Sequence, residues 1–175
     1  MIFFGALKIM NIDLSELNNK KHGKRELDLV ISKDSFYDNG EVIKFTKPIK
    51  FTGIVRLIDN IYELTGNVET EVLLPCSRCS EDFFYHVNMD ISEKLSDTIK
   101  DEDGEIISIN NDKIDIYQII ENNLSMELPV KKICKEDCKG LCQHCGTNLN
   151  HNSCDCEKDD IDPRLAKLKE LFSKP

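Results

Sequence analysis

Ile43-Lys44-Phe45-Thr46-Lys47-Pro48-Ile49-Lys50-Phe51-Thr52-Gly53-Ile54-Val55-Arg56-Leu57, followed after Asp59-Asn60 by Tyr62-Glu63-Leu64-Thr65-Gly66-Asn67-Val68-Glu69-Thr70-Glu71-Val72-Leu73-Leu74, is the stretch that decides the fold. In the first half Ile43, Phe45, Ile49, Phe51, Gly53, Val55 and Leu57 all fall on odd positions. In the second half Tyr62, Leu64, Gly66, Val68, Thr70, Val72 and Leu74 fall on even ones. A period of two sends alternate side chains to one face of a strand, so each half reads as a strand with one apolar face. Asp59-Asn60 is a turn pair and joins them as an antiparallel hairpin. Pro48 has no N–H to give a ladder, so it marks a break or an edge.

Working outward, the alternation resumes downstream at Phe83, Tyr85, Val87, Met89 and Ile91, with Cys76-Ser77-Arg78-Cys79 at the corner between strands. Upstream, Glu26 to Ser32 reads as a further strand through Leu27, Leu29, Val30 and Ile31. Long antiparallel strands with one apolar face need a cover. A helix over 115–128 can supply it: Asp115 with Gln118 makes a capping box, Ile116, Ile119, Ile120 and Leu124 share a face, and Pro129 ends it. Residues 94–113, rich in Asp, Glu, Asn and Lys, read as a mobile loop carrying one short strand around Ile106, Ile107 and Ile109. The expected class is α+β: an antiparallel meander covered by a helix, with a cysteine-rich zinc-binding C-terminal segment. The expected domains are a sheet domain over 1–133, a metal-binding segment over 134–156 tied to Cys76 and Cys79, and a tail over 157–175. In the tail, Asp162-Pro163 opens a short helix with Leu165, Leu168, Leu171 and Phe172 on a stripe that docks on the core.

The chain has eight cysteines, six of them between Cys134 and Cys156. A C-x2-C turn aims two thiolates at one tetrahedral ion, and a structural zinc takes four ligands at about 2.3 Å for each sulfur. Eight thiolates therefore read as two structural zinc sites. Cys142, Cys145, Cys154 and Cys156 form a compact knuckle and return, with Gly146 placed where a positive φ is cheap. By elimination Cys134 and Cys138 join Cys76 and Cys79, drawing the tail onto the middle of the chain. Spacing also admits a division in which Cys138 joins the knuckle. His144 and His151 could substitute as ligands, but with enough thiolates present they read as exposed loop residues. Disulfides are disfavoured by the metal-like spacings and by the lack of a secretory signal, and a redox C-x2-C by the lack of a βαβ setting.

Composition narrows the function classes. At 175 residues with 40% hydrophobic content the chain can fill one core, although it has no Trp. Met1 to Ile9 is apolar but too short for a secretory signal, and Met10 reads as the true translation start, with the first nine residues an extension. No apolar run approaches the ~20 residues that span a bilayer, so a cytoplasmic protein is expected. Formal charge is −9, unevenly spread: residues 19–56 hold nine Lys/Arg against five Asp/Glu, and residues 60–128 hold four against sixteen. Only Lys20, Lys21, Lys24, Arg25, Lys44, Lys47 and Lys50 could offer a basic face to RNA phosphates, and a solvated loop and strand edge is the plainer reading of them. The acidic middle suits a basic protein partner better. Catalysis has little support: there is no Gly-rich phosphate loop, nucleophile elbow or H-E-x-x-H helix, and an all-cysteine zinc site has no open position for water.

Pro48-Ile49-Lys50-Phe51-Thr52-Gly53, Leu74-Pro75-Cys76-Ser77-Arg78-Cys79, Ile114-Asp115-Ile116 leading to Glu127-Leu128-Pro129, and the run Cys138-Lys139-Gly140-Leu141-Cys142-Gln143-His144-Cys145-Gly146-Thr147-Asn148-Leu149-Asn150 followed by Asp162-Pro163-Arg164 together resemble the YceD family. The resemblance covers nearly the whole chain from about Met10. It implies a non-enzymatic factor for accumulation or processing of 23S ribosomal RNA, with ribosomal protein L32 or an RNA-processing enzyme as candidate partners. The family's recurrent cysteine motif falls on Cys76, Cys79, Cys134 and Cys138, and Cys142, Cys145, Cys154 and Cys156 resemble an extension found in part of the family. Ser80 departs from the apolar residue that commonly follows the first C-x-R-C. A reading of a different class is a thiol-based stress sensor or holdase, in which oxidation ejects zinc and bares apolar surface.

Overall fold

The computed structural model describes residues 11–18, 23–97, 106–109 and 112–156. The expected start at Met10, the Lys20–Lys21 pair, the acidic run at 101–103 and the C-terminal helix from Asp162 lie outside the described residues. The chain divides into two compact units: Met1–Pro75 with Asp82–Lys132, and Cys76–Glu81 with Ile133–Pro175.

The first unit is built on a six-stranded sheet. Its strands are β2 (Lys24–Ile31), β3 (Ser35–Asp38), β4 (Glu41–Ile58), β5 (Ile61–Pro75), β6 (Asp82–Ser96) and β7 (Ile106–Ser108). They lie in the order β2-β4-β5-β6-β7, with β3 also on β4. All pairs are antiparallel except β6–β7, which is parallel. A two-stranded ribbon pairs β1 (Asn11–Asp13) with β8 (Lys113–Asp115), and two helices, α1 (Ser15–Asn18) and α2 (Ile116–Glu127), complete the described elements.

The deciding stretch folds as its periodicity demands. Asp59 and Asn60 both take positive φ (50° and 63°), the twist that a two-residue hairpin needs. Odd residues of β4 meet even residues of β5 across the ladder: Phe45 with Val72, Phe51 with Val68, Val55 with Leu64, Leu57 with Tyr62. Register shifts between Phe45 and Lys47 and between Lys47 and Lys50 insert two extra residues on β4. One extra residue would turn the rest of β4 inside out, and the second restores the apolar face. Pro48 sits in this bulge, between the β4 segment paired to β3 and the one paired to β2, where no ladder needs its missing N–H.

Gly53 and Gly66 pair across β4 and β5, beside the buried ring of Phe51. A Cβ added at either would lie 2.7 Å from that ring. The two glycines are the recess that holds it.

Three elements differ from expectation. Within 94–113 the described residues hold more than one strand: β6 continues to Ser96, and both β7 and β8 form. Ser35–Asp38 is a strand of its own, turned onto β4 by Asn39-Gly40 (φ 45° and 92°). In α2 only half of the capping box forms. Asp115 Oδ1 accepts from the N–H of Tyr117 and Gln118, whereas the Gln118 side chain donates to Asn122 one turn on.

The core joins the inward residues of β2 to β6 with Ile12, Leu14 and Leu17 and with Ile116, Ile119, Ile120 and Leu124 of α2. Asn123 also donates to Glu93 of β6 at 2.7 Å. Every described residue of this cluster belongs to the first unit. Among the described residues no helix is long and apolar enough to cross a membrane.

Candidate metal centre

The second unit opens with the six residues between β5 and β6. The N–H of Cys76 donates to the carbonyl of Glu81 at 2.9 Å, and the N–H of Ser80 to that of Cys76 at 2.9 Å. This tight turn brings Cys76 and Cys79 to one side, as C-x2-C spacing requires. The same pair of bonds recurs later: Cys142 N–H to Thr147 at 2.8 Å, and Gly146 N–H to Cys142 at 2.9 Å. The two C-x2-C segments are thus two copies of one knuckle.

Each knuckle is completed by a second cysteine pair. Cys134 and Cys138 close on Cys76 and Cys79, and Cys154 and Cys156 close on Cys142 and Cys145, the Sγ atoms of each quartet lying within 4.8 Å of one another. Of the two divisions that spacing admits, the structure holds the one that places Cys138 with Cys76. Cys76 Sγ lies 3.9 Å from Cys138 Sγ, and Cys79 Sγ lies 3.8 Å from Cys134 Sγ. A tetrahedron of sulfurs with bonds of about 2.3 Å has edges of about 3.8 Å, whereas a disulfide needs about 2.05 Å. The donor set fits a soft tetrahedral dication, and zinc is the commonest of these.

Hydrogen bonds prepare the thiols for that charge. Burial pushes the Cys76 thiol up, but the N–H groups of Cys134, Arg78 and Cys79 outweigh it and bring it down to about 6. The Asn150 side chain, 3.3 Å from Cys138 Sγ, lowers Cys138. Burial and the neighbouring thiols push Cys134 up to about 12. In the second quartet Thr147 brings Cys145 down to about 6, while a hydrogen bond to Cys145 and burial push Cys156 up to about 12. Each quartet therefore favours some thiolates and keeps other thiols protonated, which a bound dication would reverse by displacing the remaining protons. The quartets differ in exposure: Cys76, Cys79 and Cys138 are buried, whereas Cys145 is exposed.

Side chains outside the quartets bind the second unit together. Arg78 Nη1 donates to the carbonyls of Glu136 (3.3 Å) and Cys138 (3.0 Å), and the Arg78 carbonyl accepts from Leu141. Gly140, at φ 73°, passes so close that a Cβ would lie 3.0 Å from that carbonyl. His151 Nε2 lies 2.8 Å from Glu81 Oε1, and His144 is exposed, so neither histidine joins a quartet. Arg78 and Asn150 were not legible as site residues, because no spacing rule announces an arginine latch or an amide aimed at sulfur.

Among the described residues of the candidate basic face, Lys24, Arg25 and Lys47 are held by partners within the protein. Lys24 pairs with Glu26 at 2.9 Å, Arg25 donates to the Asp13 carbonyl at 2.8 Å, and Lys47 pairs with Glu71 at 2.9 Å. Lys50 stands opposite Glu69 and Lys44 opposite Leu73 across β4–β5.

A family model described as large ribosomal RNA subunit accumulation protein YceD matches residues 64–172, which include all eight cysteines. The chain is 32% identical over 114 residues to an uncharacterized protein of Mycobacterium tuberculosis, covering 62% of this chain and 55% of that protein. It is 29% identical over 135 residues to the uncharacterized protein YlbN of Bacillus subtilis, covering 74% and 77%. To the chloroplastic large ribosomal RNA subunit accumulation protein YCED homolog 1 of Arabidopsis thaliana it is 27% identical over 162 residues, covering 75% and 46%. The chain thus spans about half the length of the mycobacterial and plant relatives. No solved structure matches it. With the family match running from β5 through both cysteine quartets, the chain belongs to the YceD family, described as large ribosomal RNA subunit accumulation proteins.

Proposed function

We propose that this chain is a non-enzymatic, zinc-stabilised factor that supports accumulation of 23S ribosomal RNA and assembly of the large ribosomal subunit in the cytoplasm. Cys76, Cys79, Cys134 and Cys138 hold one zinc ion, and Cys142, Cys145, Cys154 and Cys156 a second. The single observation that carries the reading is the pair of matched thiol quartets in a unit whose described residues contribute nothing to the apolar core cluster. Among the described residues of that unit, the buried apolar side chains are the thiols Cys76, Cys79 and Cys138. The described residues of that unit lack the burial needed to order themselves, and zinc supplies folding energy on the order of 10–16 kcal/mol. Four thiolates close a site and leave no position for catalytic water, which supports a binding role rather than an enzymatic one. The first unit, with α2 covering its sheet, acts as the acidic scaffold.

A protein partner is favoured over bare RNA. Net charge is −9, and two candidate phosphate-binding cations, Lys24 and Lys47, are already paired with in-sheet acids. A basic ribosomal protein suits this surface, with an RNA-processing enzyme as the other candidate. Depletion should lower 23S relative to 16S RNA, and an unchanged ratio sinks the reading. A tagged pull-down should retain one small basic protein after ribonuclease digestion; its loss on digestion would point to RNA as the ligand. The exposure of Cys145 supports a second reading, thiol-based sensing, for which mild peroxide would release zinc and induce client binding.

A further inference from the structure

We infer that Asn150 and its loop join the two thiol quartets into one cooperative metal-binding unit, so that filling the second quartet raises the affinity of the first. The inference rests on the metal reading above. The loop between Cys145 and Cys154 belongs by sequence to the second quartet, and its first residues serve that quartet, yet Leu149, Asn150 and His151 reach the first. Asn150 Nδ2 donates to Cys138 Sγ at 3.3 Å and to Asn148 Oδ1 at 2.9 Å, while Asn150 Oδ1 accepts from the Lys139 N–H at 2.9 Å. One residue on, His151 reaches Glu81 of the first knuckle at 2.8 Å. The Leu149 N–H donates to the Gly140 carbonyl at 2.9 Å, next to the Leu141 N–H bound to Arg78.

No residue of the loop 146–153 is buried, so nothing apolar anchors it. Hydrogen bonds along it and its two ends hold it, and those ends are the second quartet's own ligands. When Cys142, Cys145, Cys154 and Cys156 close on an ion, the ends are fixed and the loop's ordering entropy is already spent. Asn150 then meets Cys138 preorganised, and an N–H donated to a thiolate is a charge-assisted bond that favours the ligating form. By linkage the coupling is reciprocal: filling the first quartet must strengthen the second by the same factor.

Cobalt(II) titration of the full chain tests this, because tetrathiolate cobalt has intense charge-transfer and d–d absorption. The wild type is expected to take up two ions cooperatively. A Cys145→Ser/Cys154→Ser variant should bind one ion at the first quartet with affinity lowered about tenfold. Asn150→Ala should keep two tetrathiolate spectra but lose the cooperativity, with a shift in the first site's charge-transfer band that a merely structural loop residue would not cause. Asn150→Asp, which sets a carboxylate against Cys138, should weaken the first site further than Ala does. Far-UV circular dichroism confirms that the sheet persists in each variant. Two independent isotherms in the wild type, or an unchanged first-site affinity in the double variant, would overturn the coupling. A wild-type chain with no cobalt–thiolate absorption would overturn the metal reading itself, so the two failures are distinguishable.

Discussion

Ser80 takes a φ of 60° where Gly146 takes 73°, and each donates its N–H at 2.9 Å to the carbonyl of the first cysteine of its knuckle. One hairpin geometry is therefore built twice, once with the residue that adopts it freely and once with one that does not.

The strain at Ser80 gives a ranked series. Ser80→Gly should be neutral to stabilising, and Ser80→Val should cost about 1–3 kcal/mol, because a β-branched side chain is poorly tolerated at positive φ. Thermal unfolding of the metal-loaded chain measures it. Valine as stable as glycine would contradict the knuckle geometry.

The glycine recess around Phe51 makes a second prediction, in the first unit. Gly66→Ala places a methyl group 2.7 Å from both the Phe51 ring and the Thr52 carbonyl, and should cost about 1–3 kcal/mol. Adding Phe51→Leu should recover part of that loss relative to the single changes summed, as expected for residues in contact. Urea denaturation of the four proteins closes the cycle, and strict additivity would refute the contact.

Glu71 sets a pH dependence. It is 8% exposed, accepts from Thr46 Oγ1 at 2.8 Å and Lys47 Nζ at 2.9 Å, and lies 3.1 Å from His86 Nδ1. The hydrogen bonds from Lys47 and Thr46 hold its carboxyl below the usual range. A folded value below the unfolded one contributes stability that is present above the ordinary carboxylate pKa and lost as pH falls through the folded value. Glu71→Gln should therefore lower the melting temperature at neutral pH, and the gap to wild type should shrink in acid. A gap independent of pH would dismiss the ionised contact.

Metal removal should act on one unit and spare the other. With a strong chelator, the sheet signal in far-UV circular dichroism should persist, because among the described residues the core cluster lies in the first unit. Proteolysis should meanwhile open sites between Ile133 and Cys156. Cooperative loss of the whole fold on chelation would show instead that the sheet depends on the metal.

Alternation from Ile43 to Leu74, with Asp59-Asn60 between, determined β4, β5 and their hairpin, because a period of two and a left-handed turn pair are local properties that every residue in the stretch reports. The Cys76-x2-Cys79 and Cys142-x2-Cys145 spacings announced tetrahedral thiol sites for the same reason. Asn39-Gly40 carried an equally local hairpin signal for β3, and that strand was legible to anyone who followed it. Tertiary structure alone decided what depends on partners distant in the chain. The compensating shifts around Pro48 exist only against β5, and β7 becomes a strand only beside Lys94–Ser96 of β6. The choice of Cys138 for the first quartet rests on its approach to Cys76, and the role of Asn150 rests on that choice in turn. Spacing along a chain fixes which side chains can share a turn, but which turns meet is a matter of long-range closure that no local pattern encodes.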